Sequence, residues 1–328
     1  MAFVPTPFAT PVIAPNTYQA YRSASYLSAS QYRFAPTAVA TNGLVAGSNN
    51  QEIDSTASLT QVIARASSWI DDHCYHRGDG SFVASITVEQ MVATVKPTGA
   101  ISLITNFKPI REVVGLALGA SSAGLQNIGP NQAGSVLVGE KTINLVGGYC
   151  SGYPTAWYGP WPSTNGQVVA VYSYIAGWPH TSLGANAAAG DTTITVNAPV
   201  AGADTLYGAY ANTPLTIVDG ARTEQVLLSS PPNGLTLSLA TPLQYPHTVP
   251  VAPDFLPVTA LPAAVQEAAI AVTNVLIKTQ GMRAQVLPGS IGAPAPNQRQ
   301  AMARAGALGD WEMANELLRP YVTTYLHA

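Results

Sequence analysis

The side chains best suited to chemistry in this chain stand together in Asp71-Asp72-His73-Cys74-Tyr75-His76. Imidazole and thiolate are zinc ligands, but a zinc site takes four, usually as two spaced pairs. His180, His247 and His327 lie far apart in sequence and no second Cys/His pair occurs, so no metal is assigned. Asp71 and Asp72 read as the solvated side of a helix end, although carboxylates there oppose the helix dipole. Asp219-Gly220 reads as a turn. Gly78-Asp79-Gly80 lacks the acidic ladder of a calcium loop, and neither a Gly-x-Ser-x-Gly elbow nor a Walker pattern is present. The expectation is therefore a non-enzyme with no catalytic residue and no cofactor.

The elements that carry these residues begin with a helix over 59–75. Leu59, Val62, Ile63, Ala66, Trp69, Ile70, His73 and Cys74 recur at the spacing of one helical stripe. Asp54, Ser55 and Thr56 offer N-cap oxygens, and the Gly78–Gly80 run ends it. A second helix is predicted over 263–280, with Pro262 at its first position and Gly281 beyond its end. Val265, Ala268, Ala269, Val272, Val275, Leu276 and Thr279 form its stripe, and its alanines permit close approach of another helix. The two stripes are expected to pack on each other, with Trp69 buried between them. After the Gly/Pro-rich linker 287–297 comes a last helical region, 298 to about 319–325, broken at Gly306, Gly309 and Pro320, with Trp311, Ala314, Leu317 and Leu318 on its apolar face.

Between these lie strands: 82–88 and 91–95 separated by a turn, 100–105, a Pro109-started strand or turn leading into 115–119, a hairpin of 136–138 with 142–146, and 168–175. From about 185 to 252, short strands bounded by Gly, Pro, Asn or Asp imply an inserted small antiparallel barrel or sandwich. The fold class is α+β: a helical core with β layers, divided as an extended arm (1–50), a helical/β core (51–184 and 253–328) and the insert (185–252).

Charged residues make up only 9% of the 328, while 47% are hydrophobic. So few charges coat an isolated monomer thinly, which points either to extensive oligomeric interfaces or to a secreted β-rich protein. The net charge of −3 gives no basic face for nucleic acid. No apolar run approaches the ~20 residues of a membrane helix, the Pro-broken N-terminus is a poor signal peptide, and Cys74 and Cys150 are expected as thiols. Residues 1–50 combine five prolines spread along the chain with Tyr18, Tyr21, Tyr26, Tyr32 and Phe34, as an arm laying aromatic side chains on a partner would; 26–32 could form one helical turn. Trp157 and Trp161, in a Gly/Pro-rich loop, and Trp311, Leu317, Leu318, Tyr321 and Tyr325 near the C-terminus complete the partner-binding candidates.

Both ends of the chain carry a family resemblance. YLSASQYRFAPTAV with ASLTQVIARASSWIDDHC resembles the opening of the head-to-tail adaptor (connector, head-completion) proteins of long-tailed bacteriophages, and AAVQEAAIAVTNVLIKTQG with GDWEMANELLRPYV is similar to their closing helices. The large β portion departs from the mostly helical members. The resemblance implies a structural virion protein made in the host cytoplasm and located in the neck between head and tail. It would be a homo-oligomeric ring, expected twelve-fold, bound to the portal protein above and to the next connector or tail-terminator below, with DNA passing unread through its channel and no membrane contact. The competing class is a secreted carbohydrate- or wall-binding protein, suggested by Trp157, Trp161 and Trp178.

Overall fold

The computed structural model describes residues 25–41, 45–46, 51–52, 56–75, 80–95, 100–119, 122, 124–127, 135–139, 141–146, 167–199, 202–279 and 296–322. The chain is α+β with antiparallel sheets. In place of a single helical/β core, it has two compact units: residues 84–177 form one, and the described residues on either side of them form the other.

In the second unit the helices are α1 (Ala29–Phe34), α2 (Thr56–Cys74), α3 (Ala263–Lys278), α4 (Pro296–Arg304) and α5 (Leu308–Leu318), with a short antiparallel pair, β1 (Val45–Ala46) and β2 (Gln51–Glu52), between α1 and α2. Helix α3 packs against both α2 and α5. It is therefore buried on more than one side, Val265, Ala268 and Val272 as expected but also Ile270, Thr273, Asn274 and Ile277. Pro262 serves as its N-cap, one position earlier than expected. On α2 the stripe Leu59, Ile63, Ala66, Ile70 and Cys74 is buried. Trp69 is only half-buried and stacks on His73 at a centroid distance of 4.7 Å, which corrects its placement between the helices. Asp71, expected in solvent, is buried. The break between α4 and α5 falls at Gly306, whose φ of +67° suits glycine. The Ala307 N–H donates to the Met302 carbonyl and the Gly306 N–H to Ala303, the paired bonds that close a helix end.

The insert belongs to this unit. Strands β10 (His180–Ser182), β11 (Thr193–Thr195), β12 (Pro214–Ile217), β13 (Glu224–Leu227), β14 (Thr236–Ser238) and β15 (Pro257–Thr259) form a sheet ordered β10-β15-β12-β13 and a pair β11-β14. Single bridges, Leu183 to Val196 and Leu228 to Leu239, join the two. Leu183, Ile194, Val196, Leu215, Ile217, Val226, Leu237 and Val258 share one buried core. That core takes in flanking residues on both sides, so the insert runs from about 180 to 260, wider than the expected 185–252. Its ends are adjacent: the Ala260 N–H donates to the Pro179 carbonyl at 2.8 Å.

Among its described residues, the unit of residues 84–177 has strands and no helix: β3 (Ser85–Thr94), β4 (Ile101–Ile104), β5 (Ile110–Gly119), β6 (Gln126–Asn127), β7 (Ser135–Val138), β8 (Thr142–Val146) and β9 (Gln167–Ala176). One sheet is ordered β3-β9-β5-β6 and the other β4-β8-β7, the expected hairpin β7-β8 included. β3 is continuous where a turn was expected, because Glu89 and Gln90 stay in register with Tyr172 and Val171 of β9. The segments flanking this unit meet: Val83 bridges Trp178, the Trp178 N–H donates to the Phe82 carbonyl at 2.8 Å, and the two rings stack.

Candidate functional site

The partner-binding candidates divide sharply. Tyr18, Tyr21, Trp157, Trp161 and Tyr325 lie outside the described residues. Tyr26 and Tyr32 are fully buried and belong to the core of the helical unit, so residues 25–41 are not a free arm. Leu318 and Trp311 are also buried, and the Trp311 indole N–H meets no acceptor among the described residues. Leu317 and Tyr321 are half-buried, and the Tyr321 ring packs on Phe82 and Trp178. Trp178 is thus occupied by protein rings. Phe34, at 77% exposure, is the candidate that presents a large apolar surface.

Why the tyrosines go inside is a matter of hydrogen-bond partners. A buried phenol needs an acceptor. Tyr26 finds it in the Asp71 carboxylate, and the Phe82 N–H donates to the Tyr26 oxygen at 3.1 Å. The Tyr26 backbone N–H also donates to Ser67 Oγ at 3.0 Å. Burial, reinforced by the Asp71 charge, holds the Tyr26 hydroxyl well above its ordinary pKa. Tyr32 donates to Asn274 Oδ1 at 2.6 Å, and burial pushes its pKa up to about 12. The Asn274 amide nitrogen in turn donates to Asp310 at 3.2 Å, and Lys278 pairs with the same carboxylate at 2.6 Å. One chain of polar contacts therefore ties α1, α3 and α5. The Asp254 carboxylate accepts from the Ala29 N–H at 2.9 Å and from the Ser30 hydroxyl, capping α1 from the far end of the sequence.

His180 completes this layer. Its Nε2 lies 3.0 Å from the Ser25 carbonyl, which can only accept, and its Nδ1 lies 2.9 Å from the Thr259 hydroxyl. Burial lowers its pKa to about 4, so the ring is neutral with the proton on Nε2.

Two other buried polar clusters went unread in the sequence. In the insert, His247 sits between Asp219 (Nδ1 to Oδ2, 2.9 Å) and Glu224 (Nε2 to Oε1, 2.8 Å). Glu224 also accepts the Gln244 and Tyr245 N–H groups, so the cluster pins the 244–247 turn; burial opposes its charge, but these donors outweigh it and hold the carboxyl below its usual range. In the β unit, Glu89 faces Tyr172, Tyr174 and the Asn106 N–H. The Thr259 hydroxyl beside His180 Nδ1 pairs a hydroxyl with a base, but both residues are fully buried. Among the described residues no three His, Cys, Asp or Glu side chains form a group able to hold a metal ion, and no helix is long and apolar enough to cross a membrane.

No family model, no curated protein and no solved structure matches this chain.

Proposed function

We propose that this protein is a structural, non-enzymatic head-to-tail adaptor of a long-tailed bacteriophage, a homo-oligomeric ring in the virion neck between the portal and the next connector or tail protein. The observation that carries the reading is that the segments bearing the resemblance, ASLTQVIARASSWIDDHC, AAVQEAAIAVTNVLIKTQG and GDWEMANELLRPYV, contain α2, α3 and α5, with α3 packed against both of the others. Low charge supports it, since surface buried between subunits needs few charges. So does Phe34, a rigid apolar anchor left in solvent at the end of α1. In this reading the β unit and the insert, a small antiparallel barrel or sandwich, are additions to a helical connector, and a twelve-fold ring leaves a channel for DNA.

The test is to mix the protein with the portal assembly of the same virus, sediment the mixture and average electron micrographs of the pellet. Co-sedimentation with a rotationally symmetric density beneath the portal is expected, weakened by Phe34→Glu with the circular dichroism spectrum unchanged. A protein that remains monomeric and leaves the portal bare refutes the reading.

A further inference from the structure

The Glu89 cluster contains one proton fewer than its contacts demand if the carboxyl is charged. Glu89 Oε1 receives the Tyr174 hydroxyl at 2.5 Å and the Asn106 N–H at 3.0 Å, that N–H lying farther, 3.3 Å, from Oε2. Glu89 Oε2 lies 3.0 Å from the Tyr172 hydroxyl, which also lies 2.7 Å from the Ile104 carbonyl. The Tyr172 hydroxyl has a single hydrogen. With an ionised Glu89 it can satisfy either the carboxylate or the carbonyl, and the other contact becomes two oxygens within 3.0 Å with no hydrogen between them. With a proton on Oε2 every contact is satisfied: Glu89 donates to Tyr172, Tyr172 donates to Ile104, and Tyr174 and Asn106 donate to Oε1.

We propose that Glu89 is a neutral carboxylic acid acting as a pH-sensitive latch: its proton holds the Ile104–Phe107 bend to β3 and β9, and its loss loosens that bend. The surroundings agree. Glu89 is 7% exposed. Among the described residues, Tyr172 and Tyr174 from β9 and the Asn106 N–H from the bend contact it, and the charge of Lys141, between β7 and β8, acts on it. Burial raises its pKa more than the hydrogen bonds and Lys141 lower it. The Thr105 hydroxyl is directed at the Phe107 and Lys141 carbonyls.

The sign follows from linkage. An acid whose folded pKa is raised holds its proton in the folded state after the unfolded chain has lost it. Stability therefore falls as pH rises from the ordinary glutamic range toward the folded pKa, by at most about tenfold in the folding constant per pH unit. Glu89→Gln carries the same donor and acceptor as the neutral acid and should abolish that slope. Wild-type protein in D2O near pH 7 should show an infrared carbonyl band of a protonated, hydrogen-bonded carboxyl that Glu89→Gln lacks, and the stability of the two proteins should diverge in the variant's favour from pH 5 to 8. If the variant fails to fold, Tyr172→Phe assigns the band instead, shifting it upward as the acid loses its acceptor. Absence of the band, a band that neither variant alters, or stability curves that stay parallel across this pH range would overturn the proposal.

Discussion

The sharpest contrast in the structure is between two aromatic residues eight positions apart. Tyr26→Ala would remove a side chain with no solvent exposure. Its ring meets Phe82 and His180 edge-on at 6.0 and 6.1 Å, and its hydroxyl satisfies Asp71. Truncating a buried aromatic costs about 3–5 kcal/mol, and leaving the Asp71 carboxylate short of a donor adds about 1–3 kcal/mol. The sum, about 4–8 kcal/mol, is comparable with the whole stability of an ordinary domain, about 5–15 kcal/mol. Phe34→Ala, in the same helical segment, should change stability by no more than about 0.5 kcal/mol, the range of exposed substitutions. Urea unfolding followed by helical circular dichroism measures both. If Tyr26→Ala costs under about 1 kcal/mol, or Phe34→Ala costs as much as Tyr26→Ala, residues 25–34 are not part of the core and the assignment fails.

Two further outcomes follow from buried and half-buried rings. Burial depresses the His180 pKa from 6.5 to about 4. The unfolded chain then takes up its proton first as pH falls, so stability is lost between about pH 6.5 and 4, by about 3 kcal/mol in full; an NMR titration of the His180 ring with a midpoint near 6.5 would contradict this. Trp69→Ala should cost only about 1–2 kcal/mol, below the about 3–5 kcal/mol of a buried tryptophan, because its side chain is only partly buried. A larger loss in the urea midpoint would place Trp69 in the core after all.

The long helices were legible because their information is local. The stripe of α2 and the alanine-rich run of α3 are written at i, i+3, i+4 spacing, and their boundaries differ from expectation by a few residues. The strands were legible where β-branched residues alternate. Local rules divide β3 in two because Glu89-Gln90 reads as a turn; what keeps Glu89 in a strand is a pair of tyrosines some eighty residues later. The same limit produced the arm. Tyr26 and Tyr32 look exposed while their acceptors are unknown, and those acceptors, Asp71 and Asn274, are 45 and 242 positions away. Asp71 was assigned to solvent for the converse reason. Partnerships of this kind, like that of His247 with Asp219 and Glu224, leave no periodic trace, so the buried polar clusters emerge only from the fold.

The paired exits of the chain have a wider consequence. Residues 84–177 leave from Val83 and return at Trp178, its bridge partner, and the insert leaves from Pro179 and returns at Ala260, hydrogen-bonded to it. Both excursions thus begin and end at a closed doorway in the helical unit's backbone. A doorway whose posts are already bonded to each other fixes no length on what passes through it. Loops, hairpins or whole folded bodies could be exchanged at these two seams over evolution, or by a protein engineer, while α2, α3 and α5 kept their packing.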